Sequence, residues 1–222
     1  MAICCDIGKK TDAIFVFNSP KEAISFYLNF KIDNAVYISC PNINYGITEL
    51  LFNIQKASKA KKLILSFTGN NKGYTQDLLL FSQMKDMSLI LETKERFVDL
   101  SFSYQDEEKL SQFYSVLQKY NNELNKQYTS FDALINQPRI KQYSINIVKD
   151  SNSKNSIKVR LPLSLNSLKL FVWSYHKYFV RSKHAGQTEI LKPQKNTWYQ
   201  QFLSNKTMDV NNQETKMYKL AM

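Results

Sequence analysis

Glycine and proline are scarce in this 222-residue chain, five of each, and cysteine and histidine are scarcer, three and two. Neither the Walker pattern nor the dinucleotide fingerprint occurs, and there is no Gly-x-Ser-x-Gly elbow, so ordinary nucleotide cradles and serine hydrolases are disfavoured. Cys4, Cys5, Cys40, His176 and His184 have no ligand-like spacing for zinc, and both histidines are expected as solvated members of a basic segment. An odd number of cysteines, two of them adjacent, makes a poor disulfide framework, so a reducing, cytoplasmic setting is expected. No run approaches the roughly 18 apolar residues needed to span a bilayer, and the start Met1–Asp6 has no apolar signal core, so no membrane partner is expected. Without secretion, the sequon Asn205-Lys206-Thr207 is discounted.

Acids are also in short supply: 19 Asp and Glu face 30 Lys and Arg, for a net charge of +11 and a pI near 9.4. Such a balance favours polyanions, because lysine and arginine release counterions condensed on phosphates. A Lys-rich, AT-biased composition produces the same excess as a solvated surface, so charge alone leaves both readings open.

What the chain does have is a core. A hydrophobic fraction of 43% with 13% aromatics is that of a folded protein. Ile14–Phe17, Ala35–Ser39, Leu63–Phe67 and Ser88–Leu91 read as strands. Between them lie helical patterns: one opened by Ser19-Pro20, one with Ile47, Leu50, Leu51 and Ile54 on a face, and one from about Thr75 to Met84. Continuous β-formers separated by helices predict an α/β fold with a mostly parallel sheet covered on both sides. The Gly69 and Gly73 pair reads as a turn.

The second half changes rhythm to an α+β pattern. Phe97–Phe102 alternates like a half-buried strand, followed by an amphipathic helix through Leu110, Phe113, Tyr114, Leu117 and Leu124. Strands are expected at Ser144–Val148, Ile157–Leu163 and Thr188–Leu191, with a helix carrying Leu168, Val172, Tyr175 and Phe179 on one face. Phe97–Tyr120 and Ile157–Tyr178 echo one another as strand, turn and aromatic-rich helix. The expected division is a core over 1–94, an elaboration over 95–204 and a polar tail over 205–222.

Val16–Ser25, Val36–Ser39 and Leu63–Gly73 together resemble the Toprim-like domains of bacterial primase-type and plasmid-mobilisation proteins, over about seventy residues. The resemblance implies a glutamate after the first strand and an Asp-x-Asp motif after the third. Here Asn18 stands at the first position, and Thr68 and Asn70 at the other two. Mg²⁺ requires hard anionic oxygens, and neutral amides and hydroxyls bind it weakly. The three are therefore degenerate positions, implying no metal, no cofactor and no catalysis. The segment Leu191–Trp198 is similar to a Lys-Asp-Trp-Asn-like motif of the mobilisation-type relatives, one residue longer, with Asn196 at the acid position. An acid-free rim beside Lys72 and Lys195 is suited to hold a phosphate backbone directly; a scaffold kept only for packing is the competing reading.

Trp173–His184 interleaves aromatic with basic side chains, which suits single-stranded nucleic acid. Trp173, Lys177 and Arg181, four apart, share a face. With Lys72, Lys183 and Lys195 they are the candidate DNA contacts. The expected function is a non-catalytic DNA-binding or accessory protein, in the context of a mobile element that the resemblance implies. The alternative is a structural or interaction subunit of a larger assembly, with a protein partner and no contact with nucleic acid.

Overall fold

The computed structural model describes residues 2–4, 11–84, 87–128, 142–149, 155–181 and 188–207. Among these the chain is α/β, with six α-helices and two sheets. It divides into two compact units, one of residues 1–42, 53–73 and 189–222, the other of 43–52 and 74–188. The expected cuts near 94 and 204 follow the chain in order, whereas these units interleave along it.

In the first unit, β2 (Ala13–Phe17) is central, parallel to β3 (Ala35–Ser39) on one side and β4 (Lys62–Leu65) on the other. β1 (Ala2–Cys4) adds antiparallel to β3, and β9 (Thr188–Ile190) lies beside β4. Every residue of β2 and β3 is buried, which is why these strands read as unbroken runs of β-formers. Ser19 caps α1 (Pro20–Phe30) by accepting from the Glu22 N–H, and Pro20 takes a first-turn position where its missing donor costs nothing. Phe15, Phe17, Phe26 and Tyr37 form an aromatic core with Trp198, the first residue of α6 (198–207). The Phe26 and Trp198 rings meet edge to face at 4.8 Å.

α2 (Tyr45–Ser58) begins where Asn44 Oδ1 accepts the Ile47 N–H. Its buried residues are Thr48 and Leu51, while Leu50, expected on the apolar face, is 55% exposed.

In the second unit the sheet is antiparallel, in the order β5 (Ile90–Thr93), β6 (Phe97–Ser103), β8 (Ser156–Pro162), β7 (Asn146–Lys149). The expected fourth parallel strand at Ser88–Leu91 is corrected here: β5 starts two residues later and folds back on β6. Only Lys94, Glu95 and Arg96 separate the two, enough for a hairpin but far too few for a parallel crossover. The two segments that echo one another in sequence hold equivalent places. Each follows a hairpin strand into a helix, β6 into α4 (Glu107–Tyr128) and β8 into α5 (Leu165–Tyr175). β6 and β8 pair at the centre from Phe97↔Pro162 to Ser103↔Ser156.

Val98, Leu100, Phe102, Ile157, Val159 and Leu161 are buried, and Phe102 meets Phe113, Tyr175 and Phe179 at 5.0–5.8 Å between ring centroids. α5 runs into a π-helical turn, His176–Val180, closed by the Arg181 N–H on the His176 carbonyl. His176 is not solvated as expected: it is buried, stacked on Phe81, with Nε2 2.8 Å from the Thr188 carbonyl. His184 and most of the expected polar tail lie outside the described residues.

Candidate functional site

β2 leads through α1 to β3 on one side, and β3 leads through α2 back to β4 on the other side of β2. Open α/β sheets hold ligands beyond the carboxyl ends of their strands at such a reversal, because the flanking loops part there. Asn18 follows β2 directly, and Thr68 lies three residues beyond β4.

The structure brings Asn18, Thr68 and Asn70 together in one hydrogen-bonded chain. Asn18 Nδ2 donates to Thr68 Oγ1 at 3.2 Å, and Thr68 Oγ1 donates to Asn70 Oδ1 at 2.9 Å. Asn70 Oδ1 also accepts the Gly73 N–H at 3.1 Å, capping α3 (Asn71–Gln83). The expected turn is thus shorter, and the helix starts about four residues earlier than its apolar pattern suggests. Gly73 is needed for the fit: a Cβ there would stand 1.8 Å from the Thr68 carbonyl oxygen. A polar residue at each place keeps the loop closed without any charge.

Around this chain the polar groups are unevenly satisfied. Asn18 Oδ1, Ser39 Oγ and Ser66 Oγ are buried without a hydrogen-bond partner, and all three residues sit at the carboxyl ends of β2, β3 and β4. Unpaired buried atoms of this kind call for a strain, water or ligand explanation. Among the described residues, no group of three His, Cys, Asp or Glu side chains is arranged to hold a metal ion.

The segment from 191 to 198 closes over the same loop. The Gly69 N–H donates to the Asn196 carbonyl at 2.8 Å, and the Leu191 N–H to the Leu65 carbonyl at 2.9 Å. Lys192 Nζ reaches the Phe67 and Gly73 carbonyls at 3.4 and 3.5 Å. Lys195, whose carbonyl lies against Gly69, has its side chain exposed, as does Lys72 in the first turn of α3. Trp198 Nε1 donates to the Ser66 carbonyl, and the Trp198 N–H donates to Glu22 Oε2 at 2.6 Å. Burial pushes the Glu22 carboxyl above its ordinary pKa, while the N–H groups of Trp198 and Tyr199 and the charge of Lys21 pull the other way. Glu22 thereby caps a helix 176 residues downstream. Sequence reasoning missed both Lys192 and Glu22, since neither bears a local signal of its partner.

The other expected contacts belong to the second unit. Leu165, Lys169, Trp173, Lys177 and Arg181 form an exposed stripe with a four-residue step. Residues four apart drift around an α-helix of 3.6 residues per turn, and the wider π turn takes up that drift. Trp173 is 38% exposed and hydrogen-bonds the Tyr74 hydroxyl, and Lys177 Nζ lies 4.9 Å from the Tyr178 ring centre. Lys183 is outside the described residues. Basic excess is denser in the first unit, with 14 Lys and Arg against 7 acids, than in the second, with 16 against 12.

No protein-family model matches the chain, and no curated protein or solved structure matches it.

Proposed function

We propose that this chain is a non-catalytic nucleic-acid-binding protein, an accessory factor whose first unit is a Toprim-like domain without metal-binding acids. The observation that carries the reading is the chain Asn18–Thr68–Asn70 at the strand reversal, uncharged throughout and flanked by Lys72, Lys192 and Lys195. A metal-dependent phosphoryl site needs carboxylates to hold the cation and to take a proton. A site that holds the backbone directly needs cations at its rim and neutral groups at its floor, which is what supports binding without chemistry. A mobile-element setting, plasmid mobilisation or replication, follows from the resemblance alone.

The test is fluorescence anisotropy of labelled single- and double-stranded DNA at two salt concentrations, with and without Mg²⁺. The expected outcome is salt-sensitive binding that Mg²⁺ does not strengthen. Lys72→Glu with Lys195→Glu should lower the salt slope by roughly one for each phosphate no longer neutralised. Lys177→Glu with Arg181→Glu tests the stripe of the second unit in the same assay. Absence of binding at low salt would sink the reading and leave the interaction-subunit alternative.

A further inference from the structure

The outward face of the second sheet is laid out by its register. One row across the four strands is Ile90, Ser101, Lys158 and Val148. The next is Glu92, Asp99, Arg160 and Asn146. Together these eight side chains line a shallow concavity of about 500 Å³. An antiparallel sheet with one packed face ordinarily turns polar groups outward. Here the two outer strands instead present aliphatic side chains, Ile90 at 64% and Val148 at 60% exposure. Three strand spacings separate them, roughly 14 Å.

We propose that a second copy of this chain closes that face, the two sheets stacked about a two-fold axis parallel to their strands. Such an axis keeps each row at its own level and reverses the strand order. Ile90 then meets the partner's Val148, and Asp99 meets the partner's Arg160. Ser101 meets the partner's Lys158, and Glu92 meets the partner's Asn146. Every aliphatic faces an aliphatic, and no like charges oppose. A two-fold axis lying across the strands does the reverse: it sets Ile90 against the partner's Glu92 and Lys158 against the partner's Arg160. Charge complementarity therefore selects the first arrangement. The Asp99–Arg160 pair, 2.8 Å within one chain, becomes half of a four-membered network at the centre. Glu92 and Asp99 balance Lys158 and Arg160 across the two rows, so they carry no net positive charge to draw a nucleic acid. Eight side chains from each copy are fewer than the roughly 20–30 residues a side of a standard interface, so the dimer is a transient one.

Sedimentation equilibrium of the full chain over a wide concentration range is the first test, with a reversible monomer–dimer equilibrium expected. Ile90→Lys with Val148→Lys should weaken association about tenfold or more, since charged ammonium groups then replace the two aliphatic pairings that association buries. Both side chains are exposed in one chain, so an unchanged circular dichroism spectrum shows that the variant still folds. Geometry is tested by cross-linking Ile90→Cys and Val148→Cys variants, with Cys4 and Cys5 replaced by serine, using a short bis-maleimide. The mixture should cross-link and neither variant alone should, because like positions are offset by about 14 Å across the strands in addition to the roughly 10 Å between stacked sheets. A monomer at every concentration overturns the proposal. So does a dimer indifferent to the double lysine variant, or cross-linking of the Ile90→Cys variant with itself. A monomer whose DNA binding falls with Arg160→Glu assigns the face to nucleic acid and overturns it too.

Discussion

In the first unit the side chains at the strand ends are neutral: Asn18, Thr68 and Asn70 bond to one another, while Asn18 Oδ1, Ser39 Oγ and Ser66 Oγ stay buried without a partner. In the second, the middle of the open sheet carries full charges in contact, Asp99 with Arg160 and Lys94. The first arrangement sits among buried strands, where an unpaired charge would be costly and a neutral hydrogen bond is not. The second sits on an open sheet face, where Arg160 and Lys94 stay about half exposed to water while pairing with Asp99. There the Arg160 and Lys94 hydrogen bonds still hold the Asp99 carboxyl down at about 2. Both units rest on aromatic cores; they differ in that the first sets neutral polar groups at its strand ends and the second sets full charges on its open sheet.

Trp198→Ala should have the largest effect, and on the first unit. Removing a fully buried indole together with its bond to the Ser66 carbonyl should cost about 3–5 kcal/mol in urea unfolding. Amide exchange should report that loss first in β2, β3 and β4. Glu22→Ala is expected to cost about 1–3 kcal/mol, because it leaves the Trp198 N–H buried without an acceptor. Glu22→Gln should recover part of that, since its carbonyl oxygen still accepts. Asn70→Ala removes the cap of α3 and should cost about 1 kcal/mol by the same measurement.

The smallest effect sharpens the contrast through pH. Asp99 has its pKa lowered from 3.8 to about 2, so its stabilising contribution is complete above the unfolded value and is lost as pH falls toward 2. Glu22 is raised from 4.5, so its contribution has the opposite sign, present below 4.5 and lost as pH rises through its folded value. Acidification from neutrality should therefore relieve the first unit and loosen the β6–β8 surface of the second. Residue-resolved amide exchange across that pH range checks it, and Arg160→Ala should erase the acid sensitivity of the β6–β8 surface.

Much of the local structure is legible in the sequence because its causes lie within a turn or two. Ser19-Pro20 starts α1 by capping and a preset φ, and Leu168, Val172, Tyr175 and Phe179 share a buried face by helical spacing. The candidate site is legible only in part. Asn18, Thr68 and Asn70 stand out as neutral polar residues at or just beyond strand ends, and they do meet. That Asn70 spends its side chain capping a helix is hidden, because Gly73 in that first turn disguises the helix start.

The sequence by itself determined the α/β alternation, the buried parallel strands and the absence of acids at the strand ends, since each is a matter of residue type and short-range period. Tertiary structure alone decided that Ile90–Thr93 joins an antiparallel sheet, that His176 is buried against Phe81, and that Glu22 meets Trp198. A short apolar run can pair in either direction, and a polar side chain finds its partner wherever the packed chain brings one. Those choices rest on contacts far apart in the chain, whose energies no local pattern records.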